Sequence, residues 1–457
     1  MDVLNPYRKN QLNKSSMNRV VICSFVLFIF CVSAGAQTYS LQQCIDSALK
    51  NNIPVKQSGL DMETARVNWS QAKSNILPNL DMEVSHGLNT GRSIDPFTNT
   101  YVNQSVSRGS YGANSDVVLF NGFSLKNRIK ENATAYEASR MEWQQSKDNL
   151  VLNVLLAYLT VLNNEDQLKV AYQQAATTQA TLDRLQVLNN QGAIKPSDLS
   201  DLKGQLMNDQ LGILSAKNQV ELSKLELSQW MNRPYDSAIR LQRMSAEDLI
   251  AGYGQTAEEI YQSSLQQFSL VKAVELRSKS SEYSVKAARG QMFPTLGLGA
   301  GINTNYSSVA RDVNNDKIAY SSQLKNNRFT SFGVGLSIPI FNRSLARNRV
   351  KLSEINLKNT ELQEQETKRE LRQRIDQAYL NMNNAYERYK VLLGQVSAYE
   401  ESFKAAEVRF NAGVGTSVDY LTAKDRLDRA NLNFVNAKYD FVLRKKILDF
   451  YAGRTIQ

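Results

Sequence analysis

Along residues 371–410 apolar side chains recur in steps of four and three without a break: Leu371, Ile375, Ala378, Met382, Ala385, Tyr389, Leu392, Val396, Tyr399, Phe403, Ala406 and Phe410. A second stretch carries the same rhythm at Leu150, Val154, Ala157, Val161, Asn164, Leu168, Ala171, Ala175, Thr178, Leu182, Leu185 and Asn189, nine of the twelve being apolar. A sustained period of 3.5 specifies helices packed as coiled coils. The periodic runs extend over 122–190 and 343–411. A helix of that length is roughly 100 Å long at 1.5 Å per residue. Ordinary globular domains do not use such lengths, so the pattern points to a spanning device.

Between the helical runs the period changes to two. Leu80, Met82 and Val84 alternate with Asp81, Glu83 and Ser85, and Val117 and Leu119 continue the pattern. Further on, Leu296, Leu298, Ala300 and Ile302 alternate with Gly297, Gly299, Gly301 and Asn303. Thr330, Phe332, Val334, Leu336, Ile338 and Ile340 alternate with Ser331, Gly333, Gly335, Ser337 and Pro339. These are strands with one apolar and one small or polar face. Each stretch is around ten residues, enough to cross a bilayer when tilted. Polar loops at 91–108 and 308–328 separate the paired strands, which predicts two β-hairpins, 78–121 and 294–341.

The chain is one unit written twice. At an offset of 221, Phe120-Asn121 meets Phe341-Asn342, Ala157-Tyr158-Leu159 meets Ala378-Tyr379-Leu380, Gly192 meets Gly413, Asp198 meets Asp419 and Lys203 meets Lys424. Upstream the offset is 216, so that Ala72, Pro78 and Leu80 meet Ala288, Pro294 and Leu296. The five-residue change falls inside the hairpin, which places an insertion in a loop there. The predicted organisation is a first repeat over 37–235 and a second over 257–457, joined by a linker at 236–256. Each repeat holds a helical stretch (41–76; 257–292), a hairpin, a long helix and a second helix (197–231; 418–451).

Composition adds little that conflicts. Proline is scarce, 8 in 457 residues, which suits long helices. Arg19 is followed by an apolar run from Val20 to Val32 and then Ala34-Gly35-Ala36. That is an export signal over 1–36, too short for a membrane-spanning helix. Cys23 and Cys31 leave with it, and Cys44 alone permits no internal disulfide. The net charge is +10, of which the chain after residue 36 keeps 50 basic minus 43 acidic residues, or +7, a mild excess over a long chain and weak evidence for a nucleic-acid partner. With His86 as the one histidine, a histidine-based triad or multi-histidine metal site is hard to build, and no cofactor is called for.

Four strands do not close a barrel. An open edge in lipid leaves unpaired backbone groups, each costing several kcal/mol. If the strands lie in a membrane, several chains must share one barrel.

The chain resembles the TolC family of outer-membrane efflux and secretion channels across about 38–453. The residues carrying the resemblance are Leu41-Gln42-Gln43-Cys44-Ile45-Asp46-Ser47-Ala48-Leu49, the Leu77-Pro78-Asn79-Leu80 run, Ile338-Pro339-Ile340-Phe341-Asn342, the twofold repeat, and Phe410-Asn411-Ala412-Gly413-Val414-Gly415-Thr416-Ser417-Val418-Asp419-Tyr420-Leu421. The resemblance implies a mainly α chain with a membrane β-barrel portion. It implies a homotrimer with a twelve-stranded barrel in the outer membrane, four strands from each chain, continuing into a long hollow coiled-coil barrel through the periplasm. It further implies an inner end that opens like an iris, docking to an inner-membrane pump through a periplasmic adaptor, and export without chemistry of its own.

On that basis the glycine breaks are the turns at the periplasmic tip. Gly192, Ala193, Gly413, Val414, Gly415 and Thr416 become adaptor-contact residues, since glycine permits the left-handed turn and small residues permit close approach. Asp198, Asp201 and Asp419 become members of an acidic ring at the gate, sensitive to pH and divalent ions through like-charge repulsion. The alternative for an aspartate at a helix start is favourable capping charge. The chain departs from the family's best-known wiring, with Gly415 in place of an arginine, Thr422 in place of a second aspartate, and Phe410 in place of the gate tyrosine. Among other positions, Lys368, Arg369, Arg372 and Arg374 read as a solvated helix face. Tyr101, Tyr111, Tyr306, Tyr320 and Phe329 flank the strands as interfacial belts or loop packing. His86 reads as unremarkable surface.

Two rival readings stand beside the channel. One is a periplasmic coiled-coil adaptor or scaffold without a pore, against which the two helical copies and four spanning-grade strands argue. The other is an exported enzyme, for which no nucleophile–base pair, phosphate loop or metal cluster is visible.

Overall fold

The computed structural model describes residues 38–94, 99–103, 105–191, 194–243 and 253–454. The export signal expected over 1–36, the tip residues Gly192 and Ala193, and positions 244–252 of the linker lie outside the described residues.

The first copy begins with β1 (Thr38–Tyr39), α1 (Leu41–Asn51) and α2 (Ile53–Ser74). The helical stretch expected as one piece over 41–76 is therefore divided at Asn52. That residue leaves the helical region at φ −62°, ψ 127°, and its side chain accepts from Val55 N to cap α2. Pro54 then sits in the first turn, where its missing N–H costs nothing. The strands β2 (Asp81–Asn89), β3 (Arg92–Ile94), β4 (Tyr101–Asn103) and β5 (Val106–Phe120) follow. The long α3 (Ser124–Asn190) and α4 (Pro196–Trp230) complete the copy, and β6 (Arg240–Leu241) lies in the linker.

The second copy repeats this order with α5 (Ala257–Gln267), α6 (Ser269–Gly290), β7 (Thr295–Ser307), α7 (Tyr320–Asn326), β8 (Phe329–Ser337), α8 (Leu345–Asn411) and α9 (Ser417–Tyr451). Its first helical stretch also divides, at Phe268, the position that matches Asn52 at the offset of 216. Every helix bound of α1 and α2 recurs at 216, and every bound of α3 and α4 at 221. The loop over 308–328 is five residues longer than the loop over 90–105, which accounts for the change of offset. The extra length houses α7, a helix the sequence pattern did not indicate. Strand β8 stops at Ser337, so Ile338 and Ile340 lie beyond it although their alternation continues. Pro339 has no N–H for a ladder.

The long helices bury the heptad stripe. All twelve stripe positions of α3 and all twelve of α8 are buried or half-buried. The three polar members fit because they find partners or sit at the margin: Asn164 donates to the Gln219 carbonyl across the α3–α4 hairpin at 3.3 Å, and Thr178 donates to Asp209. The upper half of α3 packs between α2 and α6, and α8 packs on α6. Below the middle, α3 pairs with α4 and α8 with α9. A central apolar cluster joins α1, mid-α3 and the end of α4, with Leu155, Tyr158, Leu162 and Leu227 almost fully buried. The short parallel pair β1–β6 closes over it, and Tyr158 Oη donates to the Gln242 carbonyl at 2.6 Å. Cys44 lies in the same cluster, where burial pushes its thiol up to about 12.

The other four strands form an antiparallel sheet in the order β2-β5-β7-β8. One face carries Met82, Val84, Tyr111, Ala113, Val117, Leu298, Ile302, Phe332 and Val334. The opposite face carries Asp81, Glu83, Asn114, Asp116, Gly297, Gly299, Asn303, Gly333 and Gly335. A bulge between Val118 and Phe120 ends the β5–β7 ladder and turns Phe120 against Phe123. The edge strands β2 and β8 are exposed along their whole length. Two successive left-handed residues then lead into each long helix, Gly122 and Phe123 (both φ 62°) and Arg343 and Ser344. A Cβ on Gly122 would lie 2.4 Å from the Gly290 carbonyl, so the close crossing of this turn with the end of α6 requires glycine.

Candidate gate at the helical tip

The α3–α4 and α8–α9 hairpins end side by side. In the second hairpin, α8 closes with Gly413 at φ 74°, the left-handed residue that ends many helices. The Gly413 N–H bonds to the Phe410 carbonyl at 3.1 Å, and the Val414 and Gly415 N–H groups both bond to the Arg409 carbonyl at 3.1 Å. A Cβ on Gly415 would meet Phe410 N at 3.1 Å and Arg409 C at 3.3 Å, so the turn folds tightly under the helix end. Thr416 caps α9. Its hydroxyl accepts from Asp419 N at 3.1 Å and donates to Asp419 Oδ2 at 2.7 Å. These bonds from Thr416 hold the Asp419 carboxyl below the usual range.

The structure thus gives Asp419 the capping role, on an exposed position. Asp201 is brought to the same helix start, where Ser417 Oγ donates to its Oδ2 at 3.1 Å. Asp198 occupies the first turn of α4, half-buried, and its side chain joins neither of these bonds. In the first hairpin the equivalent N-cap is Lys195, which makes no side-chain cap, so the two repeats differ in how they start this helix. Val414 and Val418 are exposed on the outer surface of the turn.

Sequence reasoning missed the contacts that join the hairpins. Tyr420 is fully buried, with its hydroxyl 2.9 Å from Thr181 Oγ1 on α3. Burial pushes this phenol up from its ordinary value. Its ring stacks on Phe410 at 5.0 Å and lies 5.4 Å from Phe403, and Leu182, Leu185, Leu202 and Leu206 complete the cluster. Arg184 Nη2 donates to the Asn411 carbonyl at 3.1 Å, a cation at a helix C-terminus.

Higher up, Lys424 of α9 reaches Asp209 of α4 at 3.3 Å and Asp428 at 2.6 Å. The Lys424 side chain is 3% exposed and that of Asp209 6%. Asp209 also accepts from Thr178 and from Gln205 Nε2 at 2.7 Å. Burial pushes the Asp428 carboxyl up, with Lys424 opposing the shift. Lys203, the repeat mate of Lys424, is exposed. The only trace of this site in the sequence is the Lys203–Lys424 match, which gives no sign that one mate is buried.

The remaining sequence candidates resolve simply. Lys368 pairs with Glu275 and Glu364, Arg369 with Glu366, Arg372 with Glu258, and Arg374 with Glu370, a solvated and paired helix face. His86 is exposed, as expected, but its ring is engaged. Its ring nitrogens meet Tyr111 Oη at 3.0 Å and Ser107 Oγ at 2.8 Å, and the ring stacks on Tyr306 at 5.9 Å. Tyr320 joins this group, donating to Tyr111 Oη at 2.9 Å.

The chain is similar to known proteins in both sequence and fold. The outer membrane efflux protein family matches in two stretches, residues 44–233 and 260–454, which fall within the two sequence copies. The chain is 21% identical over 417 residues to the outer membrane protein TolC of Escherichia coli, covering 90% of this chain and 82% of that one. It is 21% identical over 454 residues to the alkaline protease secretion protein AprF of Pseudomonas aeruginosa, covering 96% and 89%. Its fold is similar to that of the Campylobacter jejuni CmeC outer membrane channel, with a TM-score of 0.77 at 17% identity over 90% of this chain and 85% of that one. The outer membrane protein VceC of Vibrio cholerae gives a TM-score of 0.77 at 14% identity, over 91% and 97%.

Proposed function

The chain belongs to the outer membrane efflux protein family, and we propose that it is the exit duct of a tripartite efflux or type I secretion system. As a member of that family it resides in the outer membrane and extends into the periplasm. The family consists of channel proteins; in the proposed role this chain conducts substrates passively and performs no catalysis. Three copies close a twelve-stranded barrel, with β8 of one copy pairing with β2 of the next. A periplasmic adaptor meets the tip at Gly192, Ala193, Gly413, Val414, Gly415 and Thr416, and an inner-membrane pump supplies the energy. Asp198, Asp201 and Asp419 form the acidic lining of the gate.

The observation that carries this reading is the four-stranded sheet. One of its faces is apolar, the other is glycine and polar, and both of its edges are bare. Bare edges in lipid leave N–H and C=O groups unpaired, and only closure with further copies removes that cost. No helix among the described residues is long and apolar enough to cross a membrane. The test is the native mass of the mature protein extracted with detergent from outer membranes, followed by conductance in planar bilayers. Three chain masses and a cation preference that falls in Asp198→Ala and Asp419→Ala are expected. A monomer, or an oligomer without conductance, would sink the proposal.

A further inference from the structure

The loop 308–328 folds back over the apolar face of the sheet. Thr304 Oγ1 on that face donates to the Leu324 carbonyl of α7 at 2.8 Å. The Tyr320 ring lies 4.8 Å from Tyr306, and Tyr306 and Tyr111 both belong to that face. Gln323, 1% exposed, fixes the loop by accepting from Ser307 N at 2.9 Å and donating to the Ser307 and Ile318 carbonyls. Helix α7 therefore lies on the outer wall of the sheet rather than over its polar side.

Its height follows from the strand. Leu296 to Tyr306 is ten residue steps along β7. At ~3.4 Å per residue and a tilt of ~40° that is roughly 26 Å along the membrane normal, close to the ~25 Å apolar band of such barrels. Tyr306, Tyr111, Tyr320 and His86 thus mark the outer boundary, where aromatic rings gather. With its inner side held by the sheet, α7 leaves Ser321, Ser322, Lys325 and Asn326 exposed. Arg328 follows it, also exposed, and Lys317 precedes it. Among the described residues none of Lys317, Lys325 and Arg328 is held in an ion pair. The loop carries Arg311, Lys317, Lys325 and Arg328 against Asp312 and Asp316, four minus two, a net +2. The Asp312 carboxylate is engaged locally by the N–H groups of Asn314 and Asp316.

A cationic, hydroxyl- and amide-bearing helix face on the lipid-facing wall, at headgroup height, suits a phosphorylated sugar headgroup. We propose that Lys325 and Arg328, flanked by Lys317, bind the phosphate of an outer-leaflet glycolipid, with Ser321 and Asn326 offering hydrogen bonds to its sugar. The inference rests on the barrel reading above, because it needs this face to meet lipid. Guanidinium and ammonium groups are the usual phosphate partners.

The test uses the full-length oligomer in detergent and native mass spectrometry. The probes are lipid A with two phosphates, the same lipid dephosphorylated, and free inorganic phosphate. Two surface cations contribute roughly thirtyfold to anionic-lipid binding. The Lys325→Gln/Arg328→Gln variant is expected to retain phosphorylated lipid A about thirtyfold less well, and Lys404→Gln, far down α8, to bind as the parent does. Dephosphorylated lipid is expected to bind the parent as weakly as phosphorylated lipid binds the double variant. Equal retention by parent and double variant overturns the proposal, as does full displacement by millimolar inorganic phosphate, which would mark a free-anion site. Oligomer mass and conductance are read on the same samples. A double variant that keeps both but still binds lipid defeats the glycolipid site alone, whereas their loss in the parent defeats the channel reading.

Discussion

Replacing Lys424 by methionine removes the one cation between two carboxylates and keeps the volume and apolar stem. Asp209 on the first hairpin and Asp428 on the second would then face a space from which the ammonium has gone, at original distances of 3.3 and 2.6 Å. Breaking a buried pair by removing one partner costs about 3–5 kcal/mol. A second route gives a similar figure. Neutralising one stranded carboxylate at pH 7 costs ~4 kcal/mol, from its ordinary pKa and 1.36 kcal/mol per unit. If the hairpins separate, water reaches both carboxylates and the penalty disappears. The variant should therefore favour the separated tip by up to roughly a thousandfold. In planar bilayers it is expected to show a larger and noisier conductance than the parent, and an earlier denaturation midpoint. Adding Asp209→Asn removes one stranded charge and should restore a substantial part of both. The pH dependence has a definite sign. Burial raises the Asp428 carboxyl, so its contribution to the closed form is present below the unfolded pKa and lost as pH rises through the folded one. Without Lys424 to oppose it the rise grows, and the deficit should shrink on acidification. Parent-like conductance together with a midpoint change under ~1 kcal/mol, the value of an exposed pair, would refute the reasoning.

Two further substitutions probe the tip. Tyr420→Phe keeps the stacking on Phe410 and Phe403 but removes the bond between its hydroxyl and Thr181 Oγ1, which retains only its own bond to the Thr177 carbonyl, so a loss of about 1 kcal/mol is expected in denaturant unfolding; no loss would mean that this bond contributes nothing to the joined hairpins. Gly413→Ala places a Cβ on a residue at φ 74° with open space around it, so the cost is backbone strain alone, ~1–2 kcal/mol, and a neutral result would show that the turn adopts another conformation.

Much of the architecture is legible because it repeats. The offsets of 216 and 221 carry helix bounds from one copy to the other, and the 4,3 stripe names the side chains that lie against the partner helix. Strand alternation likewise separates the two faces of the sheet. The losses have separate physical causes. The breaks at Asn52 and Phe268 depend on a cap and on packing that a helical period does not register. The strands β1 and β6 are two residues each and exist through their pairing across about two hundred positions. Helix α7 is seven residues, held by Gln323 and Tyr320 reaching the sheet. The tip contacts are long-range polar pairs such as Thr181–Tyr420, invisible to any local rule.

Repetition explains the scaffold, whereas departures from repetition explain the tip. Both copies present a lysine, Lys203 or Lys424, and an aspartate, Asp198 or Asp419, at matching places. Only in the second copy does the lysine enter the interior, because Asp209 and Asp428 wait there; the first copy leaves its lysine in solvent. Only in the second does the aspartate find a threonine to complete a cap, because the first has Lys195 at that position. Two equal hairpins would have equal reason to hold or to leave the closed arrangement. The unequal pair assigns the work instead: the first hairpin supplies a wall of Thr178, Thr181, Asp201 and Asp209, and the second brings Lys424, Ser417 and Tyr420 to it. A moving second hairpin would have to release the Lys424 network, the Tyr420 cluster and the Ser417–Asp201 bond, so the resistance to opening is spread along the hairpin rather than confined to the outermost turn.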